Sequence, residues 1–259
     1  MDFDIKKELP KRYQNSQITK PKDGSSSRVY YLDERLVLRV LQKEQADFEQ
    51  SVTKIALKAQ LKVPKIVDSF ELGNLRILIF EKVVGCSPEK PSQKELKAIC
   101  DFANSLHKVE PTQIAIKRDI FSRQKLENLL NKHKIYTIKD ELKSVKCNPN
   151  QKHFIHGDLF IDNCKFQNQI LMGVYDFEFA SMGDRAFEFA VVAISWCKKR
   201  DGLSKECLGI LLEYLNIDFW EFLEYIKYAL LFYATIRYTN GRDYQNLLKF
   251  YNSLKEIRW

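Results

Sequence analysis

His153–Phe189 reads HFIHGDLFIDNCKFQNQILMGVYDFEFASMGDRAFEF. Within it, Cys164–Gln167 and Ile170–Tyr175 are two short β-like runs around Asn168-Gln169, the pattern of a hairpin. Pairing about that turn carries Asn163 and Asp176 to the same end of the ribbon, with Asp158 five positions before Asn163. A carboxamide and a carboxylate side by side, with a second carboxylate close by, form an oxygen-rich cluster. Hard oxygens of this kind suit Mg²⁺, which takes one or two protein ligands and completes its shell with phosphate oxygens and water. Asp158, one loop away, is left to orient or deprotonate a hydroxyl. Phosphoryl transfer needs this arrangement, because the protein must hold an attacking oxygen in line and neutralise charge on the γ-phosphoryl oxygens.

Working outward, the period of the chain changes. From Arg28 to Phe80 short β-like runs dominate, namely Val29–Leu32, Leu36–Leu41, Lys65–Leu72 and Arg76–Phe80, bounded by turn residues such as Asp33-Glu34 and Gly73-Asn74. One helix interrupts them: Gln45–Ala59 has a stripe at Phe48, Val52, Ile55, Ala56 and Ala59, and Pro64 closes off any continuation. Beyond Glu81 the pattern turns helical, over Gln93–His107, Ser122–Lys132, Arg185–Lys199, Ser204–Leu215 and most of Asp218–Lys255. The reading is an α+β protein with a small β-rich N-terminal domain over 1–82 and a larger, mostly α C-terminal domain over 83–259. Glu81–Ser87 forms a short hinge between them, with Gly85 free to bend.

Composition limits the alternatives. The 259 residues are 45% hydrophobic and 29% charged with 9 Gly and 7 Pro, which excludes disordered, collagenous and low-complexity classes. The formal charge of +8 suits an anionic partner, but the lysines lie beside Glu and Asp, as in Lys125–Asp140, and read as solvated faces. Without a helix-turn-helix, zinc-finger or RNP-type motif, no nucleic-acid partner is expected. Met1–Pro10 lacks an apolar core, and the longest apolar stretches, around Ala190–Trp196 and Ala229–Ile236, are too short to span a bilayer. The expectation is a cytoplasmic protein without a membrane partner. The six Cys contain no C-x-x-C pair and are expected to be reduced thiols. His153-x-x-His156 lacks a third ligand at helical spacing, so His156 is read as pinning its loop, and Asp184 as capping the helix that follows.

His156-Gly157-Asp158-Leu159-Phe160-Ile161-Asp162-Asn163, followed by Asp176-Phe177-Glu178, resembles the H-x-D-x-x-x-x-N and D-x-[ED] signatures of the aminoglycoside phosphotransferase and choline kinase superfamily. The resemblance covers nearly the whole chain and implies a two-lobed, protein-kinase-like fold that uses ATP and Mg²⁺. It makes Asp158 the catalytic base or hydroxyl-orienting residue, with Asn163 and Asp176 holding Mg²⁺ and Glu178 adding either a direct metal contact or an outer one through the ion's other ligands. It implies that Gly24, Ser25, Ser26 and Ser27 cover the phosphates, although a G-x-G-x-x-G is absent. Arg39 stands at the phosphate-pairing position, where Arg replaces a point charge with a fork, and its acidic partner is Glu49 or Glu44. Leu78–Val83 matches the hinge strand, with Glu81 and Val83 meeting adenine through the backbone, and Leu106-His107 resembles the L-x-x-L-H element of the C-lobe. Glu188 stands where the family usually has an Asp that supports the catalytic loop.

The acceptor reads less uniquely. DFEFASMGDRAFEFA looks most like choline and ethanolamine kinases, whereas HGDLFIDN, Ser195-Trp196-Cys197 and Phe232–Tyr238 resemble type II homoserine kinases, and GDRAFEFA is similar to thiamine kinase. The expected partner is a small hydroxylated molecule, best read as an amino-alcohol of the choline type, with aminoglycosides among the alternatives. Trp196, Trp220, Phe232, Tyr233 and Tyr238 lie in helices that would wall the acceptor pocket, where a quaternary ammonium gains about 0.5–2 kcal/mol over each ring face. Trp196, Phe232, Tyr233 and Arg237 are the candidate substrate contacts, and Arg237 is the cation that a homoserine carboxylate would need. A reading of another class is a nucleotide-binding regulator with kinase architecture and no catalysis, supported by the imperfect glycine loop and the Arg at the lysine position.

Overall fold

Strands β1 (Ile18–Thr19), β2 (Val29–Leu32), β3 (Leu36–Gln42), β4 (Ile66–Leu72) and β5 (Leu75–Glu81) form one antiparallel sheet, ordered β1-β2-β3-β5-β4, in a computed structural model that describes residues 5–21, 28–110, 118–200 and 202–255. Tyr31 pairs with Val37 and Val37 with Phe80, while Leu38 pairs with Ile79 and Val40 with Ile77, so alternate residues serve opposite faces. Leu32, Leu38, Val40, Ile77 and Ile79 bury one face with Ile5 of α1 (Ile5–Glu8) and Leu9. On the other face Leu78 and Phe80 meet Ala46 of α2 (Lys43–Lys58), with Val37 and Leu41 against them. Arg39 falls between Val37 and Leu41, which sets it on this inner face. Phe48, Val52 and Ala56 on α2 join the core of the C-terminal region, so this helix belongs to both cores.

The C-terminal region holds α3 (Gln93–His107), α4 (Arg123–Lys132), α5 (Tyr136–Ser144), α6 (Arg185–Trp196), α7 (Lys205–Leu215), α8 (Phe219–Thr239) and α9 (Gln245–Leu254). Ser92 opens α3 with a capping box, its backbone N–H donating to Glu95 at 2.8 Å. Between α5 and α6 lie β6 (His153–Ile155), β7 (Cys164–Gln167), β8 (Ile170–Val174) and β9 (Ser181–Gly183), paired as β6 with β9 and β7 with β8. Among the described residues no helix is long and apolar enough to cross a membrane.

The expected elements recur with shifted ends. The helix expected over Arg185–Lys199 stops at Trp196, because Cys197 caps it and a short hairpin of β10 (Lys198–Lys199) and β11 (Gly202–Leu203) follows. The apolar run Asp218–Lys255 divides into α8 and α9 at Asn240-Gly241, where Gly241 takes φ +67°. Ala186–Ile194 of α6 are buried without a break, as are Tyr228–Thr235 of α8, and the two helices pack together at the centre. Each large apolar side chain enclosed this way contributes about 1.5–3 kcal/mol.

Candidate active site

The His156–Asn163 loop leaves β6 at a position that only glycine fits. Gly157 has φ +76°, and a Cβ there would lie 2.4 Å from the Phe121 ring and 2.8 Å from Phe179 O. Glu188 on α6 fastens the same turn, accepting from His156 N at 3.0 Å and Gly157 N at 2.7 Å. The Tyr233 hydroxyl of α8 donates to Gly157 O, the Trp196 indole donates to Leu159 O at 3.0 Å, and Ile161 N donates to Ser195 Oγ at 3.0 Å. His156 is fully buried, and its Nδ1 accepts from Asp158 N at 3.2 Å, which leaves Nε2 to donate to Tyr175 O at 3.1 Å. Burial holds its pKa down to about 4, so the ring is neutral and fixes the loop as the sequence suggests.

The hairpin of β7 and β8 supplies the other half. Asn168 and Gln169 both take left-handed backbone angles, as a two-residue hairpin turn requires, and Cys164 pairs with Val174. Tyr175 N donates to Asn163 O at 3.0 Å, and the Tyr175 hydroxyl donates to Asp162 O at 2.6 Å, closing the ribbon end onto the loop. Asn163 Nδ2 then reaches both Asp158 O and Asp158 Oδ2 at 2.7 Å, and the side chain presents its carbonyl oxygen elsewhere. Asp176 follows at φ +68°, ψ +63°, a left-handed conformation that Asp tolerates at a modest local strain. Burial, reinforced by the Asp176 charge, pushes the Asp158 carboxyl up to about 7.

Arg39 reaches this group from the sheet. Its Nη2 lies 3.0 Å from Asp176 Oδ1 and its Nη1 bonds Glu49 on α2, so the acidic partner is Glu49 rather than Glu44. Burial opposes the guanidinium charge, but Glu49 and Asp176 outweigh it and hold its pKa above the ordinary value. Arg118 adds a second tie. Its Nη1 donates to Glu178 O at 2.6 Å while its guanidinium lies 4.6 Å from the Phe48 ring, next to Glu49 on α2. Glu178 is exposed as a residue, but partial burial of its carboxyl, followed by the Asp176 charge, raises its pKa while Arg39, Arg242 and Arg118 oppose the rise.

These donors fit a hard divalent cation that completes its shell with phosphate oxygens. Asn163 offers an amide oxygen and Asp176 the carboxylate oxygen that Arg39 leaves, while no group of three or more His, Cys, Asp or Glu forms an all-protein cage among the described residues. The hinge backbone is partly engaged: Glu81 N donates to Lys65 O at 2.9 Å, which removes that N–H from any ligand, and Lys82 N donates to Arg35 O at 2.8 Å. Val83 packs against Gly173, where a Cβ would stand 3.0 Å from the Val83 methyls. Gly24, Ser25, Ser26 and Ser27 lie outside the described residues.

The proposed acceptor residues separate into core and surface. Trp196 and Phe232 are buried, the first bonded to Leu159 O and the second packed on Phe121 and Phe187, so neither walls a pocket. Tyr233 is also buried, but its ring stands edge-on to Phe160 at 4.9 Å and its hydroxyl is committed to the loop. Arg237 is exposed and donates to Asp243 O at 3.5 Å, which turns it toward its own helix end. Trp220 and Tyr238 are exposed; Trp220 lines a cavity of about 570 Å³ with Glu224 and Lys255 that includes none of the site residues. Tyr175 and Arg118 act here without a role having been read for them, since each works through a backbone group that no motif records.

The fold has close counterparts among solved structures. A ternary complex of aminoglycoside phosphotransferase APH(4)-Ia with ADP and hygromycin B superposes with a TM-score of 0.68 at 16% identity, over 98% of this chain and 97% of that one. ADP-bound APH(2'')-Ib gives 0.65 at 20% identity over 99% and 97%, and a GDP complex of an aminoglycoside 2'-phosphotransferase-IIIa variant gives 0.69 at 15% over 94% of each. At these identities the likeness establishes the two-lobed kinase-like fold. In sequence, a homoserine kinase of Methylocella silvestris is 38% identical over 69 residues, which are 26% of this chain and 22% of that protein. The model of APH, the phosphotransferase enzyme family, matches residues 17–215, well over half of the chain, and the protein therefore belongs to that family.

Proposed function

We propose that the protein is an ATP- and Mg²⁺-dependent kinase that phosphorylates the hydroxyl of a small amino-alcohol. The observation that carries this reading is the convergence of Asp158, Asn163 and Asp176, joined by the 2.7 Å Asn163–Asp158 bond and by Arg39 on Asp176. In this reading Asp158 orients the acceptor hydroxyl and takes its proton, a role that follows from its place on the fastened loop. Asn163 and Asp176 would hold Mg²⁺, with Glu178 beside them; the ion supplies charge neutralisation at the phosphoryl oxygens. Arg39 meets the phosphates as a fork, while Glu49 keeps it aimed. Residues 1–82 serve the nucleotide, with Val83 at the hinge, and residues 83–259 supply the loop and the acceptor surface.

For the acceptor, the surroundings of Glu178 favour a hydroxylated amino acid of the homoserine type over choline or ethanolamine. Arg242 and Arg118 bring positive charge to that carboxylate, where a quaternary ammonium is best served by carboxylates and open aromatic faces. The aromatic candidates Trp196 and Phe232 are enclosed, and the matched stretch of the Methylocella silvestris homoserine kinase points the same way. Phosphate transfer from ATP is to be measured with homoserine, choline, ethanolamine, thiamine and an aminoglycoside. Turnover of homoserine alone supports the carboxylate reading, and turnover of choline reverses it. ATP binding without transfer to any acceptor or to water would move the protein to the class of non-catalytic regulators.

A further inference from the structure

We propose that Ser87 is a positioning residue for the metal-holding end of the β7–β8 hairpin, fastening the segment between the two regions to β7 so that Asn163 is fixed from both sides. The role rests on the reading of Asn163 and Asp176 as the Mg²⁺ residues. One edge of β7 pairs with β8, where Cys164 faces Val174 and Tyr175 N donates to Asn163 O at 3.0 Å. The other edge is taken by Cys86 and Ser87. Cys86 N donates to Phe166 O at 3.0 Å and Phe166 N to Cys86 O at 2.8 Å, which makes a single antiparallel bridge. Ser87 Oγ donates to Cys164 O at 2.8 Å, on the residue directly after Asn163, and accepts from Lys165 Nζ at 3.2 Å. Its proton and a lone pair are thus both used on the hairpin.

The residues around Ser87 suit this seat. Gly85, expected as a free bend, takes φ +98°, and a Cβ there would overlap Phe166 O, so the glycine lets the backbone close on β7. It marks a close approach, which corrects the expectation of a loose hinge. Pro88 confines the residue before it to extended backbone, as a place along a strand edge requires of Ser87. On the other side Glu81 N and Lys82 N are bound to Lys65 O and Arg35 O, so the chain up to Lys82 travels with the sheet. Between the two sets of hydrogen bonds lie Val83, which rests on Gly173, and the exposed Val84. Any rotation of the sheet against the hairpin is then taken up at these two residues, while Asn163 keeps its place. Removing the Ser87 hydroxyl frees Lys165 and takes from Cys164 O its donor, so the peptide that follows Asn163 loses its outer support.

The test combines amide hydrogen exchange on the full-length protein with calorimetric titration of ATP with and without Mg²⁺, on the natural chain, Ser87→Ala, Ser87→Thr and Gly85→Ala. In the natural chain the Cys86 and Phe166 amides are expected to exchange at least about tenfold more slowly than that of Val84. Ser87→Ala is expected to weaken Mg-ATP binding about three- to tenfold, as the loss of one hydrogen bond would, with binding of metal-free ATP unchanged. Ser87→Thr keeps the hydroxyl and is expected to restore Mg-ATP binding. Gly85→Ala is expected to open the bridge, speeding exchange at Cys86 and Phe166 and weakening Mg-ATP binding. Unchanged Mg-ATP binding in Ser87→Ala, equal weakening of both forms of ATP, or fast Cys86 and Phe166 exchange in the natural chain would each overturn the proposal. A natural chain that binds no Mg-ATP would overturn the kinase reading and this role with it, whereas fast exchange beside intact Mg-ATP binding would overturn the fastening alone.

Discussion

On one flank of the site, Asp158 lies in a loop whose backbone is gripped at His156, Gly157, Leu159 and Ile161 by side chains of α6 and α8. On the other flank, Arg39 reaches Asp176 from the sheet and is backed by Glu49, while Arg118 spans Phe48 and Glu178 O. The first set consists of short bonds to enclosed backbone groups, and leaving such a group unpaired is expensive. The second consists of charge-assisted contacts between segments far apart in sequence, partly open to solvent and dependent on how closely the two regions approach. The loop is therefore preorganised, whereas the Arg39 side depends on contacts between the sheet, α2 and the Asp176–Glu178 segment.

That contrast makes separable predictions. Asp158→Ala, on the gripped flank, is expected to lower phosphate transfer by about 10²–10⁴-fold while ATP affinity stays near that of the natural chain. Steady-state kinetics with calorimetric ATP titration check it, and a parallel loss of ATP binding would mean that Asp158 serves the nucleotide side instead. Glu188→Ala strands the N–H groups of His156 and Gly157 and is expected to reduce folding stability by about 3 kcal/mol in a denaturant titration. Glu188→Gln, with one accepting oxygen, is expected to fall between. Arg118→Met on the assembled flank leaves the loop untouched and is expected to raise KM for Mg-ATP roughly three- to tenfold, about 1 kcal/mol, with a smaller change in kcat. Arg118→Lys keeps the charge and loses the fork, so only partial recovery is expected; a kcat loss without a KM change would place Arg118 with the loop.

The same division explains what the sequence disclosed. Asp158, Asn163 and Asp176 are legible because one loop and one hairpin, both local, bring them together, and Asn168-Gln169 can turn the chain with both residues left-handed. Arg39 is legible by its place between Val37 and Leu41, but the choice between Glu49 and Glu44 required the helix, in which Glu44 lies in the first turn and Glu49 is buried. Arg118 carries no signature, because it acts on a carbonyl and a ring rather than on a motif residue. Trp196 and Phe232 were misread as pocket walls for a physical reason: α6 and α8 are enclosed over long continuous stretches, so no polar face marks which aromatics meet a cleft.

The last effect expected is silent at neutral pH and concerns a residue that neither flank uses. His107 ends α3 at 7% exposure, and neither ring nitrogen has a hydrogen-bond partner among the described residues. The His153 and Phe189 rings stand 6.0 Å away, and burial, followed by the Arg185 charge, holds the His107 pKa down to about 3. In the unfolded chain the imidazole titrates near about 6.5. Above that pH both states are neutral and His107 contributes no pH dependence. As pH falls from about 6.5 toward about 3, the unfolded chain binds a proton that the folded one refuses, and stability drops by up to about 1.4 kcal/mol per pH unit. His107→Leu removes this term while filling similar space with apolar atoms. Denaturant titrations of both chains at several pH values are expected to run parallel above pH 7 and to diverge below about pH 6, with the Leu chain losing less. Curves that stay parallel down to pH 4 would show that the ring finds a partner when protonated, and that the end of α3 admits water.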